Sequence, residues 1–368
     1  MNFENIAARL ARLRTRMAEE HVDIFVLVVT ENYNCESMEY ISGFRGSSGS
    51  LLISCDEAFL VTDGRYALQA ATQSPFTLIM QERNTLQGKT AEVLVRKKWS
   101  RGGFEADRLS VSLFRELEPS LPRWKDCSSI LPSLRRRKDD LEVSLIRRAA
   151  DIAYSSYDEV LGRVREGMTE KELNALLEFT LRNNGAEEGW KGSRFIVASG
   201  ERSALPHGTA TERAFRKGDM VTVDFGATYE GYISDLTRNF SMGPLPGQGR
   251  EIESVLLEAA EKALSAVRPG VEGKLVDSVA RDVITSRGWG KHFSHGLGHG
   301  LGLEVHEAPR LSPSSKDILH EGDVVTIEPG IYVEGWGGMR IEDDYLVMPD
   351  GPVCLSGGKG RNSAMITI

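Results

Sequence analysis

Four carboxylates stand where a chain of this kind should be most apolar. Asp224 interrupts Val221-Thr222-Val223-Asp224-Phe225-Gly226, Asp235 follows Tyr232-Ile233-Ser234, Glu328 closes Val324-Val325-Thr326-Ile327, and Glu342 follows Met339-Arg340-Ile341. Each run is short, apolar and bounded by Gly or Pro, as a buried strand would be. An isolated carboxylate placed there costs several kcal/mol unless it is protonated, paired or bound to a cation. Basic residues in these strands are few, Arg238 and Arg340 being the nearest. A fold that accepts all four carboxylates must gather them around positive charge, and bound metal is the natural supply.

For the first pair the sequence predicts how they meet. A hairpin whose loop is Tyr229 and Glu230 places Asp224 opposite Asp235, with Cβ atoms about 5 Å apart. A bulge at Gly231 would instead shift the pairing by one residue. Three of the seven histidines fall in His295-Gly-Leu-Gly-His299-Gly-Leu-Gly-Leu-Glu-Val-His306, with glycine at every second place from Gly296 to Gly302. Glycine removes bulk, so this segment is expected to let the backbone approach a ligand closely. Four carboxylates and one neutral imidazole balance two divalent cations. Oxygen-rich coordination with one nitrogen suits manganese, cobalt, iron or zinc rather than a thiolate-selected metal. Two such ions, about 3.5 Å apart, would activate a water and polarise an acyl oxygen, which is machinery for hydrolysis.

The 368 residues are enough for about two domains. In the first third, helix-like and strand-like segments alternate: an amphipathic stretch from Phe3 to Glu20, an apolar run from Val22 to Val29, and strands at Leu51–Ser54, Ala58–Thr62 and Phe76–Gln81. Helical patterns follow at Ala91–Lys97 and Leu113–Leu117. This is the grammar of a small α/β layer domain. Pro122, Pro132 and the basic run Arg135 to Lys138 mark a break, placing the boundary near residue 133, with an amino-terminal domain of residues 1–132 and a second domain of residues 133–368.

The second domain opens with a long amphipathic helix carrying apolar residues from Leu141 to Val164. Thr169 and Glu172 form a capping box for a helix that Asn184 and Gly185 stop. Further helices are predicted at Glu251–Val267 and Lys274–Ser286, and strands at Phe195–Ser199, Met220–Phe225, Tyr232–Phe240, Val324–Ile327 and Arg340–Met348. Two rounds of helices followed by strands suggest an α+β domain with internal pseudo-symmetry.

Several function classes are excluded or disfavoured. A net charge of −8, from 45 basic and 53 acidic residues, argues against a nucleic-acid face. No apolar run approaches the ~18 residues needed to span a bilayer, and Met1 to His21 lacks the pattern of a signal peptide, so a cytoplasmic protein is expected. The four cysteines, Cys35, Cys55, Cys127 and Cys354, form no CxxC pair and read as reduced thiols. Gln87-Gly88-Lys89-Thr90 is similar to the end of a phosphate-binding loop, but Arg83 stands where that loop needs glycine, so it reads as a helix start. Ser47, Ser48 and Ser50 do not make a GxSxG nucleophile. Arg135 to Lys138 reads as a solvated helix start, and Trp190 and Trp336 either line a cleft or pack.

The carboxylates and histidines also carry a resemblance. Val-Asp224-Phe-Gly with Ser-Asp235-Leu-Thr-Arg, Gly-His299-Gly-Leu-Gly with Val-His306-Glu, Ile-Glu328-Pro-Gly and Arg-Ile-Glu342-Asp resemble, in order and spacing, the five-ligand signature of the pita-bread metallopeptidases. Ala204-Leu-Pro-His207-Gly, Ser42-Gly-Phe-Arg-Gly-Ser and Thr62-Asp-Gly-Arg-Tyr66 extend the likeness to the creatinase-type amino-terminal domain of the proline-specific branch. The resemblance implies a creatinase-like α/β domain ahead of an α+β pita-bread catalytic domain. It implies that Asp224 and Asp235 hold one metal ion while Asp235, His299, Glu328 and Glu342 hold another, with Asp235 and Glu342 bridging the two and manganese the first candidate of the four metals. It further implies Glu328 as general base, His207 and His306 as donors to the developing oxyanion, and His295 in the proline pocket. Arg340 would support the ligands or meet a substrate carboxylate.

The expected function is that of an Xaa-Pro aminopeptidase acting as a homodimer on proline-containing peptides. The near alternative is prolidase, a strict Xaa-Pro dipeptidase, which needs a positive group for the free carboxylate. A non-catalytic peptide-binding relative is the remote alternative, against which the intact ligand series argues.

Overall fold

A computed structural model describes residues 3–31, 33–190, 194–356 and 365–368. The chain divides into two compact units, Met1–Arg135 and Arg136–Ile368.

The first unit runs α1 (Phe3–Glu19), β1 (Ile24–Thr30), α2 (Cys35–Ser42), β2 (Ser48–Ser54), β3 (Ala58–Thr62), α3 (Ala67–Gln73), β4 (Thr77–Met80), α4 (Leu86–Lys97), β5 (Arg101–Phe104), α5 (Val111–Leu117), β6 (Arg123–Asp126) and α6 (Ile130–Arg136). Its six strands form one mixed sheet in the order β4-β3-β2-β1-β5-β6. β1 is central and buried along nearly its whole length, which explains its unbroken apolar run rather than an alternating one. The α/β reading therefore holds. Gln87 to Thr90 does open a helix, capped by Thr85, whose hydroxyl accepts from the Gly88 N–H.

The basic run differs from expectation. Arg135 and Arg136 end α6 rather than begin a helix, and Arg135 and Lys138 are buried. Arg136 makes a bidentate pair with Asp323 (2.9 and 2.8 Å), and Lys138 donates to Glu307 at 3.1 Å. A run of cations reads as solvated in sequence because its acidic partners lie far along the chain.

The second unit begins with α7 (Asp140–Leu161) and α8 (Glu170–Asn183). Both start with a capping box, Asp139 with Glu142 and Thr169 with Glu172. α7 stops before Val164, so the predicted stripe overruns it by one turn. Strands β7 (Ile196–Ser199), β8 (Met220–Phe225), β9 (Thr228–Tyr229), β10 (Tyr232–Ile233) and β11 (Leu236–Ser241) follow. Then come α9 (Gly247–Ala266), α10 (Gly273–Ser286), β12 (Gly298–Gly300), β13 (Glu307–Leu311), β14 (Val324–Ile327), β15 (Gly330–Val333), β16 (Gly337–Arg340), β17 (Asp343–Leu346), β18 (Val353–Cys354) and β19 (Ile366–Thr367). One sheet has the order β19-β11-β8-β7 and another the order β13-β12-β14-β17-β18.

Each round of helices and strands has its own core. Leu173, Leu177 and Leu181 of α8 pack with Val221, Val223 and Phe225 of β8, whereas Val276, Ala280 and Ile284 of α10 pack with Val325 and Ile327 of β14. Each fully buried leucine contributes about 1.5–3 kcal/mol. Trp336 packs against the second of these cores.

Two predicted strands are broken at the residues that matter most. Tyr232–Phe240 divides into β10 and β11, leaving Ser234 and Asp235 outside the ladder. Arg340–Met348 divides at Ile341 and Glu342. The hairpin register also differs from expectation: Asp224 faces Thr237, and Phe225 faces Leu236, so the pairing is shifted by two residues and Asp235 is a diagonal neighbour. The cause is the turn. Glu230 and Gly231 both take positive φ (45° and 81°), so these two form the loop and Tyr229 pairs with Tyr232. No described helix is long and apolar enough to cross a membrane.

Candidate metal centre and cavity

The broken strands converge on one cavity of about 650 Å³. Asp224, Asp235, His299, Glu328 and Glu342 line it, and so do His207, His295, His306 and Arg340. Every residue singled out from the sequence is therefore brought to the same place, from both rounds of the second unit. Trp190 lines it as well, its indole N–H held by the Ser234 carbonyl at 3.0 Å.

Asp224 sits near the end of β8, and one of its oxygens accepts from Arg340 Nη2 at 2.5 Å; the other, Oδ1, has no partner. Freed from the ladder, Asp235 has its N–H taken by Asp344 at 3.1 Å, and its own Oδ1 is likewise buried and unpartnered. Glu342 accepts from the Thr237 hydroxyl at 2.7 Å, across the isolated bridge that joins Thr237 to it. Glu328, just past β14, accepts from Thr326 at 3.2 Å. His299 lies in β12 with Nδ1 3.1 Å from the Gly300 carbonyl, an acceptor for an Nδ1 proton, and with Nε2 turned inward. That Nε2 is 3.3 Å from Glu328 Oε1 and 3.7 Å from Asp235 Oδ2.

Electrostatics show what this cluster lacks. Burial, followed by the negative charges of Glu342, Asp224, Asp344 and Glu328, pushes the Asp235 carboxyl well above its usual range. Burial, and then Glu328 and Asp224, do the same to Glu342. For Asp224, burial outweighs the nearby Arg340, and the shift is again upward. Glu328 goes the other way. Burial opposes its charge too, but the hydrogen bond and charge of His299, with His295 and Arg340, hold it at about 2.

The donor set fits a metal. Among the described residues, Asp235, His299 and Glu342 each bring a ligand atom within 4.8 Å of the other two. Such separations suit one ion with bonds of about 2.0–2.3 Å to carboxylate oxygen and imidazole nitrogen. The two unpartnered oxygens of Asp224 and Asp235 are what a cation would satisfy.

Gly296 and Gly298 line the cavity, and two of the glycines have a further cause that was not expected. A Cβ on Gly298 would lie 2.1 Å from the Thr326 carbonyl, and one on Gly300 2.3 Å from that of Ala308. Neighbouring backbone fills the space that a Cβ would take at these two positions.

Arg340 spends its guanidinium on the wall of the cavity. Besides Asp224 it donates to Tyr332 Oη (2.6 Å), Thr237 Oγ1 (3.0 Å) and the Pro206 carbonyl (3.3 Å). His295 is fixed by the Gly296 carbonyl (2.7 Å) and by Tyr332 Oη (2.9 Å), and its pKa is lowered by burial. His306, its ring centroid 4.3 Å from that of His299, is lowered to about 4 by burial and then by His299 and Arg310.

Thr237, Thr326 and Tyr332 were not anticipated from sequence. The two threonines had a signal, since each lies two residues from a site carboxylate along an extended segment and so shares its face. Tyr332 had none, because β15 itself was not anticipated.

Comparison with known proteins follows the same division. Residues 144–349 match the metallopeptidase family M24, and residues 9–137 match the creatinase/prolidase N-terminal domain. An uncharacterized peptidase, YqhT of Bacillus subtilis, is 36% identical over 345 residues, covering 93% of this chain and 96% of that protein. An X-Pro aminopeptidase from Thermotoga maritima superimposes with a TM-score of 0.90 at 38% identity, over 96% of this chain and 100% of the other. A Xaa-Pro dipeptidase from Bacillus anthracis gives 0.92 at 36% identity, over 99% and 100%.

Proposed function

The chain belongs to metallopeptidase family M24, in the creatinase-type branch with a pita-bread catalytic domain, and we propose that this metal-dependent exopeptidase is an Xaa-Pro aminopeptidase, releasing the residue before an N-terminal proline. The observation that carries the reading is the cavity floor: three buried carboxylates, a fourth half-buried one in Glu328 and one inward-turned imidazole, two of the carboxylates with orphaned oxygens.

In this reading Asp224 and Asp235 hold one divalent ion, and Asp235, His299, Glu328 and Glu342 the other, with manganese the first metal to supply. The pair of ions, when bound, supplies polarisation of the scissile carbonyl and activation of water for attack. The chain's own residues do the rest. Glu328, ionised at neutral pH, takes a proton from the attacking water and passes it to the leaving proline nitrogen. His306 is neutral at that pH and donates an N–H toward the carbonyl oxygen as charge develops there, with His207 facing the same cavity as a second donor. His295, steadied by Tyr332, shapes the proline end, and Arg340 keeps Asp224 oriented.

A second reading, the dipeptidase, is favoured by one observation. Arg194 and Arg310 line the cavity and could hold a free carboxylate. Manganese-reconstituted protein offered an Xaa-Pro dipeptide and an Xaa-Pro-Yaa tripeptide side by side decides between them. Release of the first residue from the tripeptide is the expected outcome, and cleavage of the dipeptide alone assigns a prolidase. The reading includes a homodimer, which a monomeric mass in light scattering would exclude.

A further inference from the structure

His207 belongs to neither a helix nor a strand. It lies in the segment between β7 and β8, after a short turn at Gly200–Ala204, where Pro206, His207 and Thr209 line the cavity. Such a segment needs an anchor if a side chain on it is to be held in place. The anchor is Glu170, the first residue of α8 and fully buried. One of its oxygens accepts from the N–H (2.8 Å) and hydroxyl (2.7 Å) of Ser199, where the segment leaves β7. The other accepts from the N–H (2.9 Å) and hydroxyl (2.7 Å) of Thr211, where the segment returns. The same oxygen accepts from Arg202 Nη1, and Arg202 Nη2 donates to the Thr209 carbonyl at 2.8 Å. Five donors thus reach one carboxylate, which has roughly four lone-pair positions. Both ends of the loop and an arginine tied to its far side meet at a single buried group.

We infer that Glu170 is a positioning residue for the reaction: it fixes where His207 stands in the cavity without touching the substrate. The inference rests on the reading of His207 as a substrate contact. Capping of α8 is a separate matter, because Thr169 and Glu172 perform it.

Glu170→Gln preserves volume but replaces one acceptor oxygen with an amide nitrogen, which in either orientation faces donors it cannot accept from, those of Ser199 at one end of the segment or those of Thr211 and Arg202 at the other. In manganese-loaded full chain acting on an Xaa-Pro-Yaa tripeptide, kcat is expected to fall about 10- to 100-fold with KM within about threefold, as for a contact displaced by about 1 Å. Metal content should remain that of the wild type. In a His207→Ala background the same substitution is expected to change kcat by less than about twofold, because the group it positions is gone. An equal fall in both backgrounds would overturn the inference and leave the reading of the site intact. A silent His207→Ala would remove His207 from the site, and the inference with it. Should Glu170→Gln not fold, Thr211→Val removes one donor, leaves α8 whole and runs the same cycle. Trypsin provides a readout independent of activity: in the metal-free chain, cleavage after Arg202 should quicken in Glu170→Gln, and an unchanged rate would overturn the clamp even if no proline peptide proves to be a substrate.

Discussion

Two sets of buried carboxylates in the second unit are chemically alike and electrostatically opposite. In the frame around the cavity, each has its charge answered. Asp323 has Arg136 and the His320 N–H, Asp277 has a bidentate Arg281 and the Leu297 N–H, Glu307 has Lys138 with the Leu303 and Glu304 N–H groups, and Glu170 has its five donors. On the cavity floor, Asp235 and Glu342 repel each other and their neighbours, and the nearest fixed cation, Arg340, is committed to Asp224. Burial of an acid is therefore no functional signal by itself. What marks the site is several buried acids gathered without the counter-charge that Asp323, Asp277, Glu307 and Glu170 receive, with Asp344, whose carboxyl burial also raises, standing directly behind Asp235.

That contrast is broken most directly by Glu342→Ala. Activity is expected to fall by at least about 10³-fold together with metal content, because a proposed metal ligand is lost; two metals per chain by elemental analysis would refute the assignment. On the frame side, Asp323→Ala removes a fully buried carboxylate from a half-buried guanidinium that keeps the Ile318 carbonyl and Asp317 as partners, and should destabilise the protein by about 2–3 kcal/mol in urea unfolding. If the loss is below about 1 kcal/mol, the frame pairs are not what distinguishes the two sets. His306 stands between the sets, facing the cavity from the residue before Glu307. His306→Ala should keep its metal and lose about 10²-fold in turnover, as for an oxyanion donor; unchanged turnover removes it from the site.

The subtlest effect has the opposite sign from ordinary mutation. Asp235→Asn relieves repulsion, so in metal-free protein it should stabilise by on the order of 1 kcal/mol while abolishing metal binding. A destabilised variant would mean that the floor is not under-compensated. The pH dependence tests the same point. Carboxyls raised in the folded state above ordinary values of 3.8 (Asp235) and 4.5 (Glu342) bind more protons folded than unfolded. Metal-free stability should then fall as pH climbs from about 4 through those raised values. Glu328, lowered from 4.5 to about 2, contributes in the other direction, its share being lost as pH falls through that interval. Urea midpoints of the metal-free protein against pH separate the two, and a midpoint that rises from pH 4 to 7 would contradict the first.

How much of this was readable from the chain varies with distance. Capping boxes at Thr169 and the apolar stripe of α8 are local, and the structure keeps them. All nine residues singled out for the site line one cavity: the four acids were readable because a carboxylate in an apolar run signals its own environment wherever it pairs, whereas the places of His207, His295 and His306 came from the family resemblance. The register of Asp224 was not readable, since it depends on Glu230 adopting φ 45° beside Gly231 at 81°, and glutamate is no usual signal for that turn. Of the glycines from Gly296 to Gly302, Gly296 and Gly298 do line the cavity, but Gly298 and Gly300 have a further reason that was not readable, the Thr326 and Ala308 carbonyls on neighbouring strands. Arg136 and Lys138 were misjudged for the same reason, their partners Asp323 and Glu307 being remote in sequence.

The bridge between Thr237 and Glu342 has a consequence for biogenesis. It closes the first round of strands onto one of the last, and Arg340, which orients Asp224, arrives at the same moment. A nascent chain emerging from the ribosome carries Asp224 and Asp235 long before it carries Glu328, Arg340 or Glu342. Until then the early acids face no competing ligands and no shaped site. With the proposed ligand set, ion capture would accordingly be a late step, completed when translation is nearly over, and a stalled or truncated chain ending before Glu342 would emerge as an apoprotein whatever the metal supply of the cell.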